Sequence, residues 1–330
     1  MVNEWDKVFE RSESVNHEKV TFTNHFGIKL VADLYTPKNI EGKLPALAVA
    51  GPFGAVKEQS SGLYAQTMAE KGYVALAFDP SFTGESGGEA RDVFSLDINT
   101  EDYQAAVDYL SNLSYVDAEE IGLIGICGWG GIALNAAAMD PRIKATAAVT
   151  MYDMARIGAR GYFDQGTDDD RYDMKKSIAQ QRTEEYGKAV LAKAGGCVEY
   201  PAPADLPEFV QQYSAYYKTK RGYHKRSVNS NEGWVLQSQT GWANTQILTH
   251  PQDLRNAVLI VHGEKAHSRY MGEETYQKLV DAFEQGSEEA KNKELIIVEG
   301  ATHTDLYDGG DNNYIPFDKI DDFFARNLRK

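Results

Sequence analysis

The stretch Gly125-Ile126-Cys127-Gly128-Trp129-Gly130-Gly131 decides how this chain folds. It follows a short apolar run at 121–125 and precedes an alanine-rich segment at about 130–139. A strand that passes through a glycine-rich turn into a helix is the setting of a nucleophile elbow, which holds a reactive side chain up over a sheet. Glycines suit the turn because it leaves no room for side chains beside it. The N–H of Gly128 would face a substrate oxygen at a helix N-terminus, where the dipole also favours a Cys127 thiolate. The stretch departs from G-x-S-x-G twice: cysteine stands for serine, and Trp129 holds the fifth place with glycine at the sixth. The bland alternative is a glycine-rich turn around an inert, buried cysteine. A dinucleotide turn of the G-x-G-x-x-G kind does not fit, because the glycines are misplaced and no acidic residue ends a following strand.

Outward from the elbow, strands alternate with helices. Residues 20–22 and 30–35 read as two strands joined by a turn at 24–27, with clear alternation at 29–35. The short apolar runs at 46–50, 74–78, 121–125, 145–150, 258–261 and 295–298 read as buried strands. Helices are expected at about 62–71, 101–113, 130–139 and 317–328, with Gly72 as a stop signal. The pattern predicts an α/β fold with a mostly parallel central sheet flanked by helices. Between residues 152 and 253 the chain turns polar and tyrosine-rich, carries charged helical stretches such as 173–194, and offers no convincing buried strand. We expect a core of residues 1–151 and 254–330 and a helical cap insertion at 152–253.

The chain has 330 residues, 42% hydrophobic, 25% charged and 11% aromatic, an ordinary globular composition long enough for a real core. Its 34 basic and 49 acidic residues give a net charge of −15. That field repels phosphate backbones and anionic lipid, which argues against nucleic-acid or membrane-surface partners. Cys127 and Cys197 are the only cysteines, too few for a disulfide framework or a cysteine-based metal site. Residues 1–19 contain no apolar run of the signal-peptide kind, and no stretch approaches the roughly 18 apolar residues of a membrane span, so a cytoplasmic location is expected.

Two further elements carry chemistry. His303 lies just past the last expected strand, where a loop histidine can swing over the sheet, and this matches the order nucleophile, acid, histidine. His262, which ends a strand, and His267 are weaker candidates. After the strand at 46–50, the turn Gly51-Pro52-Phe53-Gly54 can supply a second oxyanion donor. Pro52 has no N–H, so that donor would be the N–H of Phe53.

Together these elements resemble the α/β-hydrolase superfamily, and within it the dienelactone-hydrolase-like branch, which also uses cysteine in its elbow. Phe78-Asp79-Pro80 through Gly84-Glu85-Ser86-Gly87 looks like that family's post-strand loop, and Val116-Asp117 through Ile121-Gly122 looks like the approach to its elbow. The resemblance covers about 18–150 and 255–330, not the insertion. It implies Cys127 as nucleophile, His303 as general base, and Phe53 and Gly128 as oxyanion donors. The family's acid would fall three residues after Gly263, but Ala266 stands there. Glu264 is the first candidate to replace it and Asp153, past the strand at 145–150, the second; Asp305 is too close to His303 to orient it easily.

The resemblance implies a hydrolase that cleaves an ester, lactone or thioester of a small molecule. A Cys127 thiolate, ion-paired with His303, would attack the acyl carbon, and water would release the acyl group. Such a site predicts an accessible Cys127 that alkylates fast at neutral pH. Trp129 and Tyr152 are expected to touch substrate, and no cofactor or metal is required. The aromatic residues of the insertion either wall the site or form the insertion's own small core or a homodimer interface. Two alternatives share the fold: an acyltransferase using the same residues, and a non-catalytic binding protein, which Ala266 favours.

Overall fold

A computed structural model of the protein describes residues 5–329; Met1–Glu4 and Lys330, at the two ends of the expected core, lie outside them. Strands β1 (Val15–Thr23) and β2 (Lys29–Pro37) form an antiparallel pair. The Asn24 side chain closes their turn by accepting the N–H groups of Phe26 and Ile28. Next come β3 (Leu44–Ala50), α1 (Ser60–Glu70), β4 (Val74–Phe78) and α2 (Leu96–Ser111). Then follow β5 (Val116–Ile126), α3 (Gly128–Met139) and β6 (Ile143–Val149). The sheet has eight strands in the order β1-β2-β4-β3-β5-β6-β7-β8, where β7 is Ala257–Gly263 and β8 is Lys293–Val298. All pairings from β4 to β8 are parallel.

Alternation along β5 shows why both sheet faces are covered. A Cβ on Gly122 would press on Phe324, whereas one on Gly125 would press on Ala133 of α3, and residues an odd number apart point to opposite faces. Phe324 belongs to α11 (Phe317–Leu328), whose Ile320, Phe323, Phe324 and Leu328 form one buried stripe at helical spacing. With a helix on each side, β4 and β7 are buried along their whole length, which is why their sequences read as continuous apolar runs.

Between β6 and β7 lie α4 (Met154–Arg160), α5 (Asp168–Glu184), α6 (Glu208–Tyr217) and α7 (Ser238–Trp242), with one isolated bridge pairing Lys193 and Val235. The remaining helices are α8 (Arg269–Asp281), α9 (Glu288–Lys291) and α10 (Asp305–Asp308). Three details differ from the sequence reading. Helix α2 starts at Leu96, ahead of the periodic apolar positions. Helix α5 begins in a capping box at Thr167 and ends at Glu184, because the next side chain, Glu185, accepts from Gln181, Ala192 N–H and Gln237 and folds the chain back. Helix α8 was not anticipated, its stretch being polar apart from Met271, Leu279 and a few others. Among the described residues no helix is long and apolar enough to cross a membrane.

Below the loop after β3 lies a buried charge cluster. Lys57 Nζ is 2.6 Å from Glu58, 2.9 Å from Asp79 and 2.6 Å from Glu85. These three carboxylates are close enough to share a metal ion, but the Lys57 ammonium already sits among them. Burial works against its charge, yet the surrounding carboxylates raise the Lys57 pKa above its ordinary value.

Candidate active site

Cys127 stands between β5 and α3 with φ 59° and ψ −129°. A non-glycine residue there is strained, and its neighbours hold it. Its N–H donates to Val149 O at 2.9 Å, while its carbonyl accepts from Gly130 at 2.9 Å and Tyr152 at 3.0 Å. Gly125 lets α3 start this close: a Cβ would lie 2.2 Å from the Trp129 carbonyl oxygen. Gly51, at φ +100°, brings the loop after β3 against the elbow, where a side chain would meet Ile126 O at 2.2 Å. The backbone N–H groups of Phe53 and Gly128 face the Cys127 sulfur closely enough to favour its thiolate. Two N–H donors facing the side chain at an elbow are the arrangement an oxyanion hole would need.

The Phe53 loop is held from the segment after β6. Asn229 Nδ2 donates to Phe53 O at 2.6 Å, and Asn229 N–H and Ser227 Oγ donate to Gly54 O at 3.0 and 2.8 Å. The Phe53 ring packs 4.8 Å from Phe94, 4.4 Å from Trp234 and 5.0 Å from Trp242.

His303 follows β8 and is fully buried. Its Nδ1 lies 2.7 Å from Ser268 Oγ and 2.9 Å from Thr150 Oγ1. Thr150 directly follows β6 and Ser268 lies beyond β7, next to the two strand ends where an acid is expected. Hydroxyls therefore occupy the places expected to hold a carboxylate. Glu264 is exposed and accepts the N–H of Gly300 instead. Asp153 caps α4 through Arg156 N–H, and Asp305 accepts from Thr302. None of these carboxylates hydrogen-bonds His303, so the structure corrects the expected acid.

The other imidazole nitrogen is also spoken for. Nε2 lies 2.9 Å from the Tyr307 hydroxyl, and that hydroxyl faces the Cys127 sulfur across the cavity both residues line, favouring the thiolate. Among the described residues no hydrogen bond joins Cys127 to His303 directly. Sequence reading missed Thr150, Ser268 and Tyr307; only Tyr307 left a local signal, four residues after His303 and one helical turn away.

Burial sets the protonation states. Desolvation pushes the Cys127 thiol up to about 11, and the Tyr307, Phe53 and Gly128 hydrogen bonds only partly oppose it. Desolvation, together with His267 and His262 nearby, holds His303 well below its ordinary value. Both shifts favour a neutral thiol beside a neutral imidazole over the thiolate–imidazolium pair that the hydrolase resemblance implies. Burial also runs against the fast alkylation expected at neutral pH, since Cys127 is only 5% exposed. A rise from 9.0 to about 11 makes iodoacetamide about a hundredfold slower at pH 7 than an unshifted thiol, with roughly a tenfold gain per pH unit up to about 11. Peptide mapping of the adduct against pH checks this; a rate already level below pH 8 would contradict it.

A cavity of about 240 Å³ opens on Cys127, Tyr307 and Phe53. Its other walls include Tyr152, Tyr162, Tyr213, Trp234 and Trp242. Tyr152 thus sits where a substrate contact was expected, with its hydroxyl bonded to Tyr213 at 2.9 Å and to His267 Nε2. Trp129 does not reach the cavity. The first turn of α3 aims it into the sheet interface, 1% exposed, against Phe78 and Tyr103. His262 is buried within β7 beside Gly272, and neither of its ring nitrogens has a hydrogen-bond partner among the described residues.

A sharp strand-to-helix turn over a mostly parallel sheet, with an imidazole beyond its last strand, is the arrangement of the α/β-hydrolase fold. The chain belongs to the X-Pro dipeptidyl-peptidase (S15) family, which matches residues 27–304. It is 50% identical to protein PA2218 of Pseudomonas aeruginosa over 99% of this chain and 85% of that protein. The PA2218 crystal structure superposes with a TM-score of 0.91 at 49% identity, covering 99% of this chain and 98% of that one. Thiohydrolase aneE of Aspergillus aculeatus is 35% identical over 40% of this chain and 41% of its own length. The α/β hydrolase GrgF from a Penicillium species, at 21% identity, has a TM-score of 0.72 over 95% of this chain and 99% of that one, a likeness of fold. The superfamily resemblance is thereby established; the comparisons do not carry it to the dienelactone-hydrolase-like branch.

Proposed function

We propose that the protein hydrolyses an ester, lactone or thioester of a small molecule through a Cys127 acyl-enzyme, with His303 as base and residues 152–253 as a cap over the site. The observation that carries this reading is the convergence of the Phe53 and Gly128 N–H groups on the sulfur. Cysteine here takes the place of the serine typical of the family. The 240 Å³ cavity is smaller than the roughly 300 Å³ at which drug-sized pockets begin, and its aromatic walls suit a compact apolar acyl group.

The missing carboxylate favours activated substrates. Without a negative charge at Nδ1, the imidazolium is less stabilised and less easily formed. Thioesters, enol lactones and simple esters ask less of it than amides, because thiolate leaves a tetrahedral species more easily than amine. The thioester member of this group is supported by the partial match to a protein named a thiohydrolase. Acyl transfer to an alcohol or amine remains a second reading, because water would have to reach the aromatic-walled cavity by the route open to any other acceptor.

Incubation with p-nitrophenyl acetate and with a short acyl thioester, followed by intact mass and peptide mapping, tests the reading. The expected result is one acetyl group on Cys127, decaying to free acetate. Faster decay on adding alcohols or amines, with their acylated products, would make the protein a transferase. Absence of any adduct from both donors would point to the binding protein.

A further inference from the structure

We propose that the Tyr307 hydroxyl carries the proton between Cys127 and His303, so that the working unit is a Cys–Tyr–His relay. The inference rests on the acyl-enzyme reading above and assigns a residue that touches the reacting atom. A directly paired base would need Nε2 at the sulfur, but Nε2 is engaged at 2.9 Å with Tyr307. The same hydroxyl is close enough to the Cys127 sulfur to favour its thiolate, and the two residues line one cavity, in which the acyl group would sit.

The phenol is built into place. Tyr307 is 0% exposed, and its ring stands 5.3 Å from His303 and 5.0 Å from Tyr216. Its short helix is tied down by Tyr64, whose hydroxyl donates to Leu306 O at 2.7 Å. A phenol can accept one proton while donating another, which a relay requires and a phenylalanine cannot do. Burial also holds Tyr307 in its protonated form.

The step balances as follows. As Sγ forms its bond to the acyl carbon, the thiol proton moves to Tyr307 Oη and the phenol proton moves to His303 Nε2. The carbonyl π electrons become the oxyanion facing Phe53 and Gly128. When the leaving group departs with the C–O or C–S bonding pair, the imidazolium proton returns through Oη to that group. The phenol ends unchanged, and Cys127 holds the acyl group. The Nδ1 proton is shared throughout with Ser268 or Thr150.

Single-turnover release of p-nitrophenol in H₂O–D₂O mixtures reads the number of protons in flight. The wild type is expected to give a curved proton inventory, from two moving protons. Tyr307→Phe is expected to acylate at least ~100-fold more slowly, in the range of lost acid–base catalysis. Its inventory should become linear while its melting temperature stays close to that of the wild type. A linear wild-type inventory, or a Tyr307→Phe enzyme within about threefold of wild type, would overturn the relay, with the Cys127 adduct still showing the acyl-enzyme intact. Failure of wild-type Cys127 to acylate would overturn both. Should Tyr307→Phe not fold, the wild-type inventory alone decides.

Discussion

Replacing Cys127 by alanine is expected to lower kcat/KM for activated esters by about a thousandfold or more, with no acyl adduct on any residue. What survives would come from the oxyanion donors and the cavity, because both N–H groups belong to backbone that the substitution leaves in place. Cys127→Ser is the more informative partner. Its oxygen enters the same turn and meets the same donors, yet the hydroxyl gives up its proton far less readily than a thiol. The base that must take this proton has no carboxylate behind it, only Ser268 and Thr150. We expect Cys127→Ser to fall about a hundredfold below the wild type in acylation. A serine enzyme as fast as the cysteine enzyme would mean that His303 is a stronger base than its buried, hydroxyl-bonded setting allows. Stopped-flow acylation of the three proteins under one set of conditions measures both effects.

Lys57→Met is expected to cost about 3–5 kcal/mol of stability, the range for removing one member of a buried ion cluster. The loss comes less from the missing attraction than from what stays behind. Glu58 and Asp79 are wholly buried, and without the ammonium they face each other as like charges. Arg226 still reaches Glu58, and two backbone N–H groups still reach Asp79. For a chain of this length the melting temperature should drop by roughly 4–7 °C. The pH dependence has a definite sign. Burial, then repulsion by Asp79, already pushes Glu58 up to about 7, and loss of the Lys57 ammonium would raise the folded pKa of Glu58 further above the unfolded value. A group raised in the folded state favours folding below its unfolded pKa and loses that contribution as pH rises. The deficit of Lys57→Met should therefore be smaller near pH 5 than near pH 8. Thermal melts of both proteins across that range check it; a deficit that grows on acidification would show that the cluster stays charged without the lysine.

The fold was legible because its signals are short-ranged. Apolar runs bounded by glycine and proline mark β3 through β8, and the elbow writes its steric demand directly into Gly125, Gly128, Gly130 and Gly131. The nucleophile candidate and the histidine follow from chain order alone. The groups around the histidine do not. Thr150 and Ser268 meet at His303 from the ends of two strands, and a threonine or serine at a strand end looks like any other. A search for acids could find only acids, so it reached Glu264 and Asp153, whose carboxylates satisfy nearby backbone N–H groups. Trp129 was misread for a related reason. Sequence places it one residue from an oxyanion donor, but the helical turn rotates its side chain away from the cavity and into the core.

Asn229 and Ser227, which grip the carbonyls of Phe53 and Gly54, come from the stretch between β6 and β7, far along the chain from the loop they hold. The insertion is therefore part of the machine and not an accessory fitted over it. A shortened version of this hydrolase, trimmed to sheet and flanking helices, would keep its sulfur and its imidazole. It would release the Phe53–Gly54 backbone that the proposed reaction needs held in place. The segment whose side chains help line the cavity also braces the Phe53 loop, so under the proposed function substitutions there would move acyl-group preference and rate together.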